Sequence, residues 1–194
     1  WTFVALDGFA LSGDVMVSSL QAKWVKFLRF LDSMEGYGDV SAITYHDHKF
    51  RVQDEHIAWI LRESAPNHDL LIRETARRKD SIDDEINDAM RQERYVRHMP
   101  ETMAFLDELE AAGRITRKVR IVNTGLIHYR NLPACRAFGR RMHETCLRLA
   151  QPECQIIWAA LSQMSGIRVQ QVSWLSLKPL WKAPKGQPPA TGTL

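Results

Sequence analysis

Three stretches of the chain place metal- or phosphate-binding side chains directly after an apolar, strand-like run. Asp7 follows WTFVAL and precedes Gly8. A polar cluster at 46–51 follows VSAITY, and Asn-Thr-Gly at 123–125 interrupts the run KVRIVNTGLIHY. Open α/β sheets bind ligands beyond the carboxyl ends of their strands. These three stretches are therefore the first candidates for a functional site.

The first candidate is a divalent-cation site at Asp7. Mg²⁺ and Mn²⁺ take oxygen ligands and bridge phosphate oxygens, so a carboxylate at a strand end suits them. Asp14 is the candidate second metal ligand. An Asp-Gly pair at a strand end is equally a common turn. A metal site and a plain turn are thus the two interpretations of Asp7.

The second candidate is the polar cluster at 46–51. Residues two apart in an extended segment point the same way, so His46 and His48 are compatible with metal ligation, although a solvated loop is favoured. Arg51 can bind a phosphate through two parallel hydrogen bonds. Alternatively, Arg51 forms an exposed ion pair with Glu55, four residues further along a helix.

The third candidate combines the interrupted strand with the start of a late helix. Glycine inside a strand, here Gly125, marks a bulge or a close approach by a ligand, and a hairpin turn is the equal alternative. Glu153 and Gln155 stand in the first turn of an apolar helix. Glu153 there either caps the helix or serves as a general base.

Strand-like and helical patterns alternate along the chain and favour an α/β sheet. Strands are predicted at 1–6, 40–45, within 118–129 as strand, tight turn and strand, and at 167–175. Helices are predicted at 16–34, 52–63 and 82–98, from Pro100 to a cap at Gly113, and from Pro133 and Pro152, while 68–79 fits either type. Residues 1–177 are expected to form the domain, and 178–194 a Pro/Gly/Lys-rich tail or surface loop.

Composition narrows the function classes further. The 194-residue chain has a net charge of +3 and a pI of about 8.9, which permits an anionic ligand without requiring one. Basic residues between 77 and 97 alternate with acidic ones and indicate a solvated face of mixed sign. Three cysteines without a CxxC spacing favour a reducing, cytoplasmic location. The longest apolar run, Ile156 to Leu161, is far shorter than the roughly 20 residues of a membrane span.

Five short blocks follow one another along the chain. They are Val4-Ala5-Leu6-Asp7-Gly8, His48-x-x-Arg51 followed by Glu55, Gln92-x-x-Tyr95 followed by Pro100, Asn123-Thr124-Gly125-Leu126 followed by Arg130-Asn131, and Glu153-x-Gln155. In this order they resemble GT-A-type glycosyltransferases, in the branch of bacterial, plant and viral sugar transferases often known only as a domain of unknown function. The family places Asp and Gln next to each other in the last block, whereas Cys154 separates the acid from the glutamine here.

The resemblance implies a helix-rich GT-A-like mixed sheet flanked by helices, without its first strand because the chain starts late. It implies transfer of a sugar from a nucleotide-diphosphate donor to a hydroxyl of a glycan, a small molecule or a modified DNA base, with Mn²⁺ or Mg²⁺. Glu153 would orient or deprotonate the acceptor hydroxyl, and Gln155 would fix its position. The donor- and acceptor-binding residues would be Asp7, His48, Arg51, Glu55, Asn123, Gly125 and Arg130, with Asp7 and Asp14 at the metal.

Two other functions stay open at this point. The Arg-rich segments at 73–97 and 114–120 would suit a nucleic-acid-binding helical domain, whose affinity would fall steeply with salt. That reading leaves Asn-Thr-Gly and Glu153-x-Gln155 unexplained. A metal-dependent phosphohydrolase built on Asp7 and the cluster at 46–48 would instead hydrolyse its substrate without an acceptor.

Overall fold

The computed structural model describes residues 11–32, 40–47, 54–64 and 67–173. The predicted strand at 1–6, the candidate residues Asp7, His48 and Arg51, and the tail at 178–194 lie outside them. The elements are α1 (Val15–Lys26), a 3₁₀ turn (Arg29–Asp32), β1 (Ala42–His46), α2 (Asp54–Glu63), β2 (Leu70–Glu74), α3 (Ile82–Ala89), α4 (Glu93–Val96), α5 (Met99–Ala111), β3 (Val122–Arg130), α6 (Pro133–Arg148), α7 (Cys154–Ser162) and β4 (Val169–Val172).

The described strands form one mixed sheet in the order β1-β3-β2-β4. β3 runs antiparallel to both of its neighbours, and β4 pairs in parallel with β2. An ion pair fixes the start of β2 beside the start of β4, because Asp69 accepts hydrogen bonds from the Arg168 backbone and guanidinium. These bonds lower the pKa of Asp69 to about 2. The prediction of an α/β fold with a mixed sheet is confirmed.

The central strand, β3, passes through Asn-Thr-Gly at 123–125 without turning back, so the predicted tight turn is wrong. The strand instead bulges. β2 pairs Ile72 with Ile127, but its next residue, Arg73, pairs with Asn123. β3 therefore carries three extra residues opposite this step of β2.

Hydrogen bonds within the bulge and to β1 hold this irregular backbone. The Gly125 amide donates to the Asn123 side-chain Oδ1 at 2.8 Å. The Gly125 carbonyl accepts from the Asp47 amide, also at 2.8 Å. The asparagine and the end of β1 thus supply partners that a regular strand would have found in β2. Of the two interpretations of Gly125, the bulge is the correct one.

Helices cover both faces of the sheet. Ile60 of α2 packs on one face against Leu71 and Leu126. The other face lies against α1, α6 and α7, and α7 is buried between two clusters: Ile157 and Trp158 contact the sheet-side core, while Ile156, Ala159 and Ala160 join the cluster formed with α3 and α5. α7 begins at Cys154, two residues after the predicted start.

The helix predicted over 82–98 is broken into α3 and α4. Met90 and Val96 are exposed, whereas Tyr95 is buried with Ile86. A continuous helix could not place Ala89 and Tyr95 on one stripe, because six residues is not a helical repeat. The break turns the chain so that both side chains reach the same cluster.

Other predicted boundaries stand closer to the structure. The helix predicted over 16–34 ends at Lys26 and is followed by Leu28 at a φ of 60°. β2 occupies the ambiguous stretch 68–79 as a strand. Gly113, at a φ of 65°, ends the helix before it as predicted, and α6 begins at Pro133. Within 11–32, 40–47, 54–64 and 67–173, no helix has the length and apolar character needed to cross a bilayer.

Gly139 is where α6 comes closest to the end of α1. A Cβ at this position would lie 2.4 Å from the Phe27 carbonyl oxygen and 3.2 Å from its carbon, both backbone atoms. Gly139→Ala gains about 1 kcal/mol of helix propensity, but overpacking typically costs about 1–3 kcal/mol and more where backbone must move. We therefore expect Gly139→Ala to lower the free energy of unfolding by about 1–2 kcal/mol, measured as a lower urea midpoint at unchanged m.

Gly13→Ala is the matched control for this substitution. A Cβ on Gly13 would meet nothing within 4 Å, so we expect this variant to unfold at the wild-type urea midpoint. A Gly139→Ala protein as stable as wild type would mean that α1 and α6 do not approach this closely.

Candidate functional site

A cleft of about 780 Å³ opens at one end of the sheet. Its walls are the second half of α1, the end of β1, the bulge of β3, the α3–α4 segment and the N-terminus of α7. Irregular backbone at a sheet end, bordered by a helix N-terminus, leaves polar groups facing this space. The cleft is the candidate functional site.

Four predicted site residues line this cleft together: Asn123, Gly125, Glu153 and Gln155. They come from the fourth and fifth blocks of the sequence. Gln92 and Tyr95 of the third block line it as well. Segments at least 28 residues apart along the chain thus meet because the bulge of β3, the start of α7 and the α3–α4 break share one end of the fold.

Other predicted site residues lie elsewhere. Arg130 is at the opposite end of β3 from Asn123, with the bulge between them, and reaches the His68 carbonyl at 3.5 Å. Asp14 caps α1, accepting from the Met16 amide at 2.8 Å, and does not line the cleft. Glu55 is exposed on α2 and is also absent from the lining.

Glu153 is the cleft carboxylate with the most altered environment. It is the N-cap of α7, and its Oε1 accepts from the Gln155 amide at 3.1 Å. Enclosure by protein raises the pKa of Glu153, and the charge of Glu85 raises it further, against the opposing effect of the Gln155 hydrogen bond. Burial likewise raises the pKa of Tyr95, and the charge of Glu153 adds to that rise.

Glu85 holds the neighbouring wall in place. Its Oε1 accepts from Gln155 Nε2 at 2.6 Å, and its Oε2 from Lys79 Nζ at 2.5 Å. Lys79 also pairs with Asp88 at 2.6 Å. Burial acts to lower the pKa of Lys79, but its bonds to Asp88 and Glu85 outweigh burial and raise it. The Gln155 side chain is thereby fixed between α7 and α3.

Lys26, at the end of α1, organises the opposite wall. Its ammonium lies 3.3 Å from Asp47 Oδ1, 3.8 Å from Cys154 Sγ and 5.0 Å from the centre of the Tyr45 ring. The Tyr45 hydroxyl donates to the same Asp47 oxygen at 2.7 Å. Burial acts to lower the pKa of Lys26, but Cys154 and Asp47 outweigh it and raise the pKa.

A buried polar contact joins the bulge to α7 beneath this wall. Thr124 Oγ1 lies 3.2 Å from Cys154 Sγ, and both side chains are buried. Because Thr124 is inside the bulge and Cys154 is the first residue of α7, this contact sets the distance between Asn123 and Glu153. The floor of the cleft is therefore a packed structure and not a loop.

Lys23, Lys26 and Glu85 also line the cleft, but they were not among the residues predicted from the sequence. A usable signal existed for Glu85, which lies on the apolar stripe that Ile82, Ile86 and Ala89 form on α3. A charged residue on a buried stripe has to find a partner. Lys23 and Lys26 are only 7% and 5% exposed, although the end of a helix normally places lysines in solvent.

No protein-family model, curated protein or solved structure matches this chain. The residues that line the cleft are therefore the basis for a functional interpretation. They offer a carboxylate of raised pKa beside lysine ammonium, amide and hydroxyl groups. Such a set can accept a proton from a hydroxyl and hold a polar or anionic ligand.

A divalent cation needs several oxygen or nitrogen ligands close together. The part of the chain that the structure describes contains no group of three or more His, Cys, Asp or Glu side chains able to hold one. In the cleft, Asp47, Glu85 and Asp88 are each paired with a lysine. The described residues therefore do not fit a metal centre by themselves, and Asp7, the predicted ligand, lies outside them.

Proposed function

We propose that this protein is a glycosyltransferase that moves a sugar from a nucleotide-diphosphate donor to a hydroxyl acceptor, with Glu153 as the base. One observation carries the proposal. Three of the sequence blocks that resemble GT-A-type transferases, at 92–95, 123–125 and 153–155, line a single polar cleft. That cleft contains a carboxylate whose pKa is raised.

The size and lining of the cleft suit such a ligand. Its 780 Å³ falls in the range of roughly 300–1,000 Å³ found for small-molecule sites. Asn123 and Gln92 provide amide groups that both donate and accept hydrogen bonds, as sugar hydroxyls do. The backbone of Gly125, without a Cβ, allows a sugar ring to approach the bulge closely.

In the proposed reaction, the acceptor hydroxyl gives its proton to the Glu153 carboxylate as its oxygen bonds to the anomeric carbon. The bond from that carbon to the diphosphate oxygen breaks, and the nucleotide diphosphate leaves with the electron pair. A raised pKa makes Glu153 a stronger base than an ordinary carboxylate, closer to neutral pH. The Gln155 backbone amide, which donates to Glu153 Oε1, keeps the base oriented.

Metal dependence stays a prediction of this proposal. Mn²⁺ or Mg²⁺ would neutralise charge on the departing diphosphate. Asp7 is the candidate ligand of this cation. The binding experiment therefore compares samples with Mn²⁺ and with chelator.

A thermal-shift panel tests the proposal. Nucleoside diphosphates and their sugar conjugates are added to wild type and to Asp7→Ala, with Mn²⁺ or with EDTA. A ligand that binds only the folded state raises the melting temperature by mass action. We expect one nucleotide series to stabilise wild type, with a smaller shift in Asp7→Ala.

Glu108→Gln serves as the control, because Glu108 is exposed on α5 and outside the cleft, and we expect its shifts to match wild type. The absence of any nucleotide shift, combined with DNA or RNA binding that weakens steeply with salt, would contradict a transferase and support the nucleic-acid-binding alternative. Nucleotide-sugar hydrolysis at full rate without any acceptor would instead favour a hydrolase.

A further inference from the structure

Lys23 is a buried cation that lines the cleft. It lies on α1 one turn before Lys26, so the two side chains share a face of the helix. Its exposed fraction is only 7%, yet its side chain forms part of the cleft wall. The Lys23 side chain is therefore within reach of a ligand in the cleft.

The neighbouring cations of the cleft are neutralised by protein carboxylates. Lys26 pairs with Asp47, Lys79 with Glu85 and Asp88, and Arg91 with Asp88. For the Lys23 ammonium, no hydrogen bond or ion pair is found in the described structure. An ammonium at a cleft wall without an ion-pair partner is stabilised when a ligand supplies the anion.

Glu153 is a cleft carboxylate within electrostatic reach of Lys23. Both residues line the cleft, and the positive charge of Lys23 acts to lower the pKa of Glu153. No ion pair joins the two side chains in the described part of the chain. A ligand anion bound at Lys23 would thus lie next to the proposed base, where bond breaking and bond making must occur together.

The basic rim of the cleft indicates a ligand with more than one negative centre. Arg77, Arg91 and Arg94 line the same space as Lys23. Arg94 also donates to Gln92 Oε1 at 2.9 Å, which holds its guanidinium at the cleft wall. Arginine binds phosphate oxygens in pairs and lysine binds them as a point charge, so the set suits adjacent phosphoryl groups.

We infer that Lys23 binds a phosphoryl group of the ligand directly, with the arginine rim contacting the next phosphoryl group of a diphosphate. The assignment of this group to the donor rests on the proposed transferase function. The anion site itself does not, since it follows from the burial of Lys23 and its position in the cleft.

Calorimetry with inorganic pyrophosphate, in EDTA and in Mg²⁺, tests the site on the full chain. In Lys23→Met, which keeps the length of the side chain without its charge, we expect the Kd for pyrophosphate to rise about ten- to hundredfold. Lys23→Arg should recover most of the affinity. Lys118→Met removes a lysine that is exposed outside the cleft and should bind as wild type does.

The outcomes separate this inference from the proposed function. Equal pyrophosphate affinity in wild type and a folded Lys23→Met protein, or no binding to wild type at millimolar concentration, would overturn the site. Lys23-dependent binding without sugar transfer would support the site and count against the transferase. If a nucleoside diphosphate binds with a lower Kd than a sugar monophosphate, the phosphoryl group at Lys23 belongs to the donor. If the sugar monophosphate has the lower Kd, it belongs to the acceptor.

Discussion

Glu153→Gln is expected to lower kcat for sugar transfer by about 10²- to 10⁴-fold, the usual contribution of a general base. The amide oxygen of glutamine can still accept the hydrogen bond of the Gln155 amide that caps α7, so the fold should be kept. The measurement is acceptor-dependent release of nucleoside diphosphate, with the melting temperature recorded on the same samples. Glu108→Gln, an exposed change on α5, should transfer sugar at the wild-type rate.

The pH profile gives this prediction a second readout. The base acts in its ionised form, so activity should rise with pH as Glu153 loses its proton. Because enclosure and the charge of Glu85 raise that pKa, the acidic limb of kcat/KM should lie above the ordinary carboxyl value of about 4.3. In Glu85→Gln one of the two causes is removed, and the limb should move to lower pH. A Glu153→Gln enzyme with wild-type kcat would show that another group takes the proton.

Lys26→Met is expected to destabilise the protein by about 3 kcal/mol, since it removes one partner of an ion pair whose lysine is buried. Asp47, which is only 23% exposed, would lose its contact with Lys26 and keep the hydrogen bond from the Tyr45 hydroxyl. For a domain of this size the melting temperature should fall by roughly 6–12 °C. Thermal or urea unfolding of the variant measures the effect at neutral pH.

Two comparisons identify the ion pair as the cause. Adding Asp47→Asn to Lys26→Met should cost less than the sum of the two single losses, whereas independent sites would show additive losses. Lys118→Met removes an exposed lysine and should leave the melting temperature unchanged. Since the pKa of Lys26 is raised, its contribution is complete at neutral pH and is lost only as pH rises through that pKa. A Lys26→Met protein that melts with wild type would contradict the pair.

The features that local sequence could predict are those with local causes. Pro133 starts α6 and Gly113 ends α5, because each residue restricts or permits the backbone at its own position. The alternation of apolar strand-like runs with helical stripes likewise predicts the α/β sheet. The same local order of blocks brought Asn123 and Glu153 forward as site residues, and both line the cleft.

The features that local sequence could not predict depend on partners far along the chain. Asn-Thr-Gly is compatible with a hairpin turn or a bulge, and only pairing of β3 with β1 and β2 on both edges selects the bulge. Arg130 shares a block with Asn123, but the two residues lie at opposite ends of the nine-residue strand β3. A strand keeps sequence neighbours apart in space, just as the fold brings distant segments together.

By itself, then, the sequence predicted the type of most elements and brought forward Asn123, Gly125, Glu153 and Gln155, which line the cleft, since these follow from local backbone preference and motif. Only the tertiary structure decided that Lys23, Lys26 and Glu85 are buried site residues. Lys26 pairs with Asp47, 21 positions along the chain. Glu85 accepts a hydrogen bond from Gln155, 70 positions along the chain. A charged side chain on a helix is ordinarily solvated, and it becomes a cleft residue only when packing excludes water and a distant group, or a ligand, supplies the opposite charge.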